Sequence, residues 1–200
     1  MTPFADARFL ASAHDPSELP PDVGAEVAVA GRSNAGKSSA INALVKRRRL
    51  AFVSKTPGRT QTINFFECTG ARRLVDLPGY GYAAVSQAER NHWAALISAY
   101  LQERASLRGL VLIADARRTL TPLDQQLITW YSSSGGPLMV LLTKSDKLSR
   151  SEAVIALNKT KAQLAKCYPA ADAVLFSAVD GTGVEAAQRV LGAWLTARSS

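Results

Sequence analysis

Apolar runs alternate with amphipathic stretches along most of the 200-residue chain. Short apolar runs bounded by turn residues are typical of buried strands, whereas apolar positions at i, i+3, i+4 and i+7 indicate helices. One such helical face consists of Trp93, Leu96, Ile97, Tyr100 and Leu101, and we expect it in the core. The pattern predicts strands at about 25–30, 62–68, 72–75, 109–114, 137–142 and 173–176, and helices at about 37–46, 86–104, 123–131, 151–166 and 184–197.

The order of these elements determines the predicted fold class. Strands alternate with helices except at the hairpin of 62–68 with 72–75. We therefore predict a three-layer α/β fold, a mostly parallel six-stranded sheet with one antiparallel strand and helices on both faces. The hydrophobic fraction of 47% suits one core. Residues 23–200 are expected to form a single domain, with residues 1–22 as an N-terminal extension packed on it.

The segment 31–38 lies between the first of these strands and the first helix. It reads Gly31-Arg32-Ser33-Asn34-Ala35-Gly36-Lys37-Ser38 and has the form G-x-x-x-x-G-K-[ST] of a phosphate-binding loop. In such a loop backbone N–H groups surround the phosphates of a nucleotide, the lysine contacts the outer phosphates and the serine hydroxyl binds Mg²⁺. We predict all eight residues as nucleotide contacts, with Lys37 also catalytic and Ser38 a Mg²⁺ ligand.

The segment 143–146 indicates which base is bound. Thr143-Lys144-Ser145-Asp146 follows a predicted buried strand and resembles the [NT]-K-x-D guanine motif of GTPases. A carboxylate at Asp146 accepts bonds from N1–H and the 2-amino group of guanine, whereas adenine would leave the carboxylate unpaired. The stem of Lys144 can lie along the purine ring. After the next strand, the predicted contacts to the guanine carbonyl are Phe176, Ser177 and Ala178.

Two further segments look like the switch regions of GTPases. Asp76-Leu77-Pro78-Gly79 has the D-x-x-G form, in which Asp76 acts on Mg²⁺ through a water and the Gly79 N–H meets the γ-phosphate. Thr60 is the best candidate for the switch I threonine, which binds Mg²⁺ only while the γ-phosphate is present, and Thr56 and Thr62 are its rivals. Thr60 and Gly79 are thus predicted as catalytic. The other loop residues expected at the nucleotide are Gly58, Arg59, Gln61 and Thr62.

The chain closely resembles the EngB family of bacterial GTPases in three strings, Gly31–Ser38, Thr56–Gln61 with Asn64-Phe65-Phe66, and Asp76–Tyr82. The resemblance spans nearly the whole chain. It implies a P-loop GTPase fold of the translation-factor-like and Era-like group, with GTP or GDP as ligand and Mg²⁺ as cofactor. It also implies hydrolysis of GTP to GDP and phosphate as a molecular switch, a role in assembly of the large ribosomal subunit, and a requirement for normal cell division and septation.

Two positions bear on the rate of hydrolysis. Ras-like GTPases have a glutamine after the D-x-x-G glycine to orient the attacking water, whereas this chain has Tyr80. We therefore predict slow intrinsic hydrolysis that is assisted by the ribosomal partner or by a monovalent cation. Asn34 occupies the position that coordinates K⁺ in related potassium-dependent GTPases. A side chain that only shapes the loop is the equally weighted alternative.

The net charge of +8 indicates a polyanionic partner besides the nucleotide. The resemblance implies that this partner is the large ribosomal subunit precursor and its rRNA. The candidate contacts to the rRNA are Lys46–Arg49, Arg72–Arg73 and Arg117–Arg118. The N-terminus lacks the pattern of a signal peptide, and no segment approaches the roughly 18 apolar residues of a membrane span. We expect a cytoplasmic monomer with no DNA or membrane partner.

Two other functions remain open from the sequence. The chain could be a nucleotide-gated binding protein of the division machinery with negligible catalysis, or a phosphotransferase that uses the same loop. Thr143–Asp146 argues against the phosphotransferase, because most small P-loop kinases lack a guanine motif at that position.

Overall fold

The computed structural model describes residues 4, 6–47, 50–51, 62–81 and 86–197, with the side chains of Gln87 and Arg90 excepted. None of the helices within these ranges is both long and apolar enough to cross a lipid bilayer. The strands are β1 (Arg8–Ala13), β2 (Ala25–Gly31), β3 (Ile63–Cys68), β4 (Arg72–Asp76), β5 (Leu107–Asp115), β6 (Leu138–Thr143) and β7 (Asp172–Leu175). The helices are α1 (Lys37–Leu44), α2 (Gln87–Glu103), α3 (Pro122–Ser132), α4 (Arg150–Cys167) and α5 (Val184–Thr196).

The strands form one seven-stranded sheet in the order β1-β3-β4-β2-β5-β6-β7. Strand β3 runs antiparallel to both of its neighbours, and the other neighbouring strands pair in parallel. The predicted α/β class with one antiparallel strand is therefore confirmed. The count of six strands needs correction to seven, because β1 pairs with β3 and extends the edge of the sheet.

Strand β1 lacks the apolar run by which inner strands are recognised. Ala13 is its one buried residue, since an edge strand is covered on fewer sides than a central one. The strand pairs with β3 from Arg8 opposite Glu67 to Ala13 opposite Ile63. The first residues of the chain thus contribute a strand to the sheet itself, and Phe4 is fully buried in the core.

Alternating side chains of the central strands build a core on each face of the sheet. Ala28 and Ala30 of β2 pack with α2, α3 and α4, whereas Val27 and Val29 pack with α1 and α5. This follows from the period of two along a strand. The predicted apolar face of α2 is confirmed as core: Leu96, Ile97, Tyr100 and Leu101 are buried, and Trp93 packs against the same cluster.

A buried ion-pair network lies at the amino end of β2. Glu26 is fully buried and accepts hydrogen bonds from Arg104 at 2.8 and 3.0 Å, from Arg73 at 2.8 Å and from the Tyr100 hydroxyl at 2.9 Å. Burial and the neighbouring Glu26 carboxylate raise the pKa of Tyr100 well above its ordinary value. Both oxygens of the carboxylate are paired, which is what a buried charge requires.

This network corrects one of the predicted RNA contacts. Arg73 is 9% exposed, and its charge compensates Glu26 inside the protein, so the prediction that it faces RNA is wrong. Arg72 is half-buried and donates to a carbonyl of α5 at 3.2 Å. Lys46–Arg47 and Arg117–Arg118 are exposed, whereas Arg48–Arg49 lie outside the described residues.

Candidate functional site

The phosphate-binding loop leaves the carboxyl end of β2 and enters α1 at Lys37. A Cβ at Gly31 would lie 2.8 Å from the carbonyl oxygen of Ile113, so only glycine fits between β2 and β5 there. Gly36 caps α1 with a φ of 96°, a left-handed conformation that favours glycine. The first N–H groups of α1 lack intrahelical acceptors and carry the positive end of the helix dipole. The predicted strand–loop–helix context is confirmed.

Asn34 also has a left-handed backbone, with a φ of 63°. Among residues with a Cβ, asparagine adopts this conformation more readily than most. Its backbone carbonyl oxygen accepts a hydrogen bond from Lys144 Nζ at 2.6 Å. Asn34 therefore has a role in the shape of the loop, while K⁺ coordination by its exposed side chain stays a prediction.

Lys37 and Asp76 form an ion pair at the point where β4 ends beside the loop. Ser38 follows Lys37 in the first turn of α1. A carboxylate and a hydroxyl are the hard oxygen donors that Mg²⁺ prefers, and this ion takes few protein ligands when phosphates supply the others. The donor set of Ser38 and Asp76 thus fits a magnesium ion bound together with a nucleotide.

The segment that follows Asp76 lies against the phosphate-binding loop. Leu77 N–H donates to the Val29 carbonyl at 2.9 Å, and Ser33 N–H donates to the Tyr80 carbonyl at 2.9 Å. Pro78 and Gly79 lie between these two backbone contacts. The structure thus brings the D-x-x-G segment to the loop, as the sequence predicts.

The side chain of Tyr80 points into the core between α2 and α3. It is 4% exposed, its ring lies 5.7 Å from the ring of Trp93, and its hydroxyl donates to Asp124 at 2.5 Å. Burial, together with the Asp124 carboxylate, raises the pKa of Tyr80 well above its ordinary value. Asp124 also accepts from the N–H and hydroxyl of Thr121 and so caps α3. Tyr80 is therefore an anchor of this segment in the structure.

The end of β6 is tied to the phosphate-binding loop. Thr143 donates its hydroxyl to the carbonyl of Ala35 at 2.5 Å. Lys144 Nζ lies 3.0 Å from the Asp115 carboxylate in addition to its bond with the Asn34 carbonyl. The motif at 143–146 and the loop at 31–38 thus form one hydrogen-bonded unit.

Asp115 is a residue of this site that the sequence reasoning missed. Burial raises the pKa of its carboxyl group, but hydrogen bonds from Arg117 and Lys144 outweigh that effect and hold the pKa well below its usual range. The available signal was its position: Asp115 ends β5, between β2 and β6, and polar residues at the carboxyl ends of parallel strands lie at the ligand-binding edge.

The predicted base contacts come together at the ends of β6 and β7. The Ser177 hydroxyl donates to Asp146 Oδ1 at 2.9 Å, and this bond and Lys147 lower the pKa of Asp146. Asp146 Oδ2 is buried and lies 3.1 Å from Lys147 Nζ, with which it forms an ion pair. Ser145 donates to the carbonyl of Phe176 at 3.0 Å, and Ala178 follows Ser177 in the same loop.

The predicted switch I residues lie mostly outside the described residues. These are Gly58, Arg59, Thr60 and Gln61, together with Thr56. Thr62 is described: it directly precedes β3, and its hydroxyl donates to Asn64 at 3.2 Å. The assignment of the switch I threonine therefore stays a prediction.

Comparison with known proteins identifies the family. The family model described as 50S ribosome-binding GTPase matches residues 26–144. The probable GTP-binding protein EngB of Methylobacillus flagellatus is 53% identical over 194 residues, which are 97% of this chain and 94% of that protein. This chain belongs to the EngB family of GTP-binding proteins. The resemblance inferred from its three strings is confirmed.

Solved structures agree with this EngB membership at the level of the fold. The crystal structure of a probable GTP-binding protein engB has a TM-score of 0.69 and 22% identity, and covers 87% of this chain and 100% of that one. Era in complex with MgGDPNP and nucleotides 1506–1542 of 16S ribosomal RNA has a TM-score of 0.65 and 20% identity, with 88% of this chain and 58% of that one covered. The P-loop GTPase fold is therefore shown.

The match to the family model and the geometry cover the site in different ways. The matched span 26–144 includes the phosphate-binding loop, the D-x-x-G segment and Lys144. Asp146 and Ser177 lie beyond that span and are joined to each other by a hydrogen bond. The structure links them to the loop through Lys144, two residues before Asp146, which bonds to Asn34.

Proposed function

We propose that this EngB-family protein is a GTP-hydrolysing switch that acts in the assembly of the large ribosomal subunit. One observation carries the proposal: Asp146, held by Ser177, belongs to the segment whose Thr143 and Lys144 bond directly to the phosphate-binding loop. A guanine-selective carboxylate and a phosphate receptor therefore form one site. The family model's description as a 50S ribosome-binding GTPase and the net charge of +8 support a ribosomal partner.

At the phosphate end, backbone N–H groups of residues 31–38 hold the β- and γ-phosphates. Lys37 would exchange its bond with Asp76 for a phosphate oxygen, and the Gly79 N–H would donate to the γ-phosphate. Ser38 and Thr60 would hold Mg²⁺ directly, and Asp76 would act on it through a water. The metal ion, when bound, neutralises phosphate charge.

At the base end, Asp146 accepts two hydrogen bonds from guanine. The lowered pKa of Asp146 keeps its carboxylate charged at neutral pH, so it acts as an acceptor only. Lys144 spans from the base toward the loop, where Asn34 and Asp115 hold its ammonium group. Backbone groups of residues 176–178 contact the guanine carbonyl.

Hydrolysis is proposed to be slow without a partner. The Tyr80 hydroxyl is engaged by Asp124 in the core, so no side chain at this position orients the attacking water. The ribosomal precursor or K⁺ would supply the missing stabilisation. The same observation favours the second candidate function, a nucleotide-gated binding protein with negligible catalysis. We further propose that the protein acts as a cytoplasmic monomer and is needed for normal division and septation.

The role of Asn34 can be tested with two substitutions. If its side-chain oxygen coordinates K⁺, turnover is expected to be at least about tenfold faster in KCl than in NaCl, since one group aimed at developing charge contributes on the order of 10²–10³ in rate. Both Asn34→Gly and Asn34→Ala should lose this difference. GTP turnover is measured in the two salts at equal ionic strength.

Asn34→Gly is the informative control because glycine keeps the left-handed backbone, whereas alanine is strained there by about 1–2 kcal/mol. If the rate difference between KCl and NaCl persists in Asn34→Gly and is lost only in Asn34→Ala, the role of Asn34 is to shape the loop and not to coordinate K⁺. Equal wild-type rates in both salts contradict the potassium proposal.

Co-sedimentation with large ribosomal subunits tests the proposed switch. The form bound to a non-hydrolysable GTP analogue is expected to bind purified bacterial large subunits about 5- to 150-fold more tightly than the GDP form, the usual range of coupling between two sites. Phosphate release is measured in parallel samples that contain GTP in place of the analogue. Equal affinity of the two forms overturns the switch, and binding without phosphate release favours the second candidate.

A further inference from the structure

A cavity of about 430 Å³ lies beside the phosphate-binding loop. It opens between the first half of the loop, the connection from β5 to α3, and Gly81. Residues 32–35 of the loop and Lys144 also line it, so it adjoins the proposed nucleotide site, whereas Lys37, Asp76 and Asp146 lie outside its lining. Its charged lining residues are Arg32, Arg117, Arg118 and Lys144 together with the carboxylates Asp115 and Asp124, and Thr119 is also in the wall.

Arg32 brings an uncompensated charge to this cavity. Its side chain is half-buried, its Nε is buried and has no hydrogen-bond partner among the described residues, and its guanidinium lies close to Gly81. All 16 acidic side chains of the chain are among the described residues, and none of them pairs with Arg32. A partly buried guanidinium without an anion is costly. Arg32 is therefore a candidate ligand for an anion that enters the cavity.

Two more guanidinium groups stand at the rim. Arg118 is exposed and pairs with no described side chain, whereas Arg117 is half-exposed and is held by the Asp115 carboxylate at 2.7 and 2.9 Å. The turn that presents them is fixed, because the N–H groups of Arg118 and Thr119 both donate to the Asp115 carbonyl.

Thr119 is in addition strained. It has a φ of 57°, a conformation that is an outlier for a β-branched residue and that costs on the order of 1–3 kcal/mol. Strain of this kind persists where the surrounding structure enforces it, and it clusters at ligand sites. The turn thus holds the two arginines in a defined position instead of leaving them on a free loop.

We propose that this cavity receives a backbone phosphate of the RNA partner, bound by Arg32 and Arg118 with Arg117 at the rim. The inference rests on the proposed function, which supplies the RNA. Guanidinium groups match phosphate oxygens with paired N–H donors, and three of them around one cavity suit a phosphodiester in a protein of net charge +8. Because Arg32 lies in the loop and touches the segment after Gly79, RNA binding here is coupled to the nucleotide site.

The first test is Arg118→Gln with Lys166→Gln as its matched control. Both remove one exposed positive charge, but Lys166 lies in the last turn of α4 and does not line the cavity. Binding of the full-length protein to purified bacterial large subunits is measured by co-sedimentation across a salt series, with a saturating non-hydrolysable GTP analogue. Arg118→Gln is expected to weaken binding several-fold and to reduce the slope of log affinity against log salt by about one. Lys166→Gln should leave both at wild-type values.

The second test is Arg32→Gln, assayed in the same way with the nucleotide site saturated. Its affinity for subunits should fall as far as that of Arg118→Gln, while its melting temperature stays equal to or above that of the wild type, since no ion pair is lost. Wild-type subunit affinity in either variant, or an equal loss in Lys166→Gln, overturns the proposal. Weaker nucleotide binding by Arg32→Gln with unchanged subunit affinity assigns the anion to the nucleotide and overturns it too.

Naked large-subunit rRNA as competitor identifies the partner. If the rRNA competes with subunits for the wild-type protein but not for Arg118→Gln, the result supports an RNA phosphodiester as the ligand of the cavity. If subunits bind through Arg118 but the RNA does not compete, the cavity takes an acidic protein surface and the inference is wrong. If the wild-type protein binds neither subunits nor rRNA, the proposed function itself fails, which is a separate outcome.

Discussion

Asp146→Asn is expected to weaken GTP binding on the order of a hundredfold or more. The carboxylate accepts two hydrogen bonds from guanine, and an amide offers one acceptor and one donor, so the 2-amino group of guanine faces an N–H group. A site built to match a polar group discriminates strongly against a mismatched one, because buried donors are left unpaired. The same amide matches xanthine, which has a carbonyl in place of the 2-amino group. Affinities for GTP and XTP are measured by competition with a fluorescent GDP analogue.

The environment of Asp146 makes this substitution interpretable. Asparagine keeps the size of the side chain and can still accept the bond from Ser177. Ser177→Ala is the matched control: it removes the group that positions Asp146 but leaves the carboxylate, so the loss of GTP affinity should be less than about tenfold and XTP should gain nothing. If Asp146→Asn binds GTP with wild-type affinity, this residue does not recognise guanine, and the proposed function loses its main support.

Glu26→Ala is expected to lower the free energy of unfolding by about 3–5 kcal/mol, the cost of leaving a buried charge uncompensated. Arg73 and Arg104 both point at the Glu26 carboxylate, and without it two guanidinium groups and the Tyr100 hydroxyl lose their acceptor. Urea denaturation followed by circular dichroism measures the change. A loss of this size is a large part of the stability of a typical domain.

Glu67→Ala is the control for Glu26, because Glu67 also pairs with an arginine, but at the exposed edge between β1 and β3. An exposed pair contributes less than about 1 kcal/mol, so this variant should unfold close to the wild-type midpoint. Similar losses in the two variants would mean that burial of the Glu26 network does not determine its contribution. Arg73→Gln should resemble Glu26→Ala, since it removes a partner of the same carboxylate.

Several features of the molecule depend on contacts between residues that are far apart in the sequence, which no local sequence pattern predicts. Tyr80 could be recognised from the sequence as the residue in the glutamine position, but its orientation follows from Asp124, 44 residues away. Arg73 looked like part of a basic surface pair, and its actual role follows from Glu26, 47 residues away. Strand β1 exists because β3 offers it an edge, with partners 50 to 59 residues apart in the chain.

The sequence by itself determined the class of the fold, the order of the helices and of strands β2 to β7, and the family. These follow from local regularities: the period of an apolar face, the two glycines that a phosphate-binding loop requires, and short strings whose spacing is tied to one chemistry. Only the tertiary structure decided which charges are buried, where Tyr80 points, and that Arg32 lines a cavity and pairs with none of the described carboxylates. Burial and pairing depend on side chains that are far apart in the sequence and meet only in the folded chain. Local sequence patterns do not contain the distance between two such side chains.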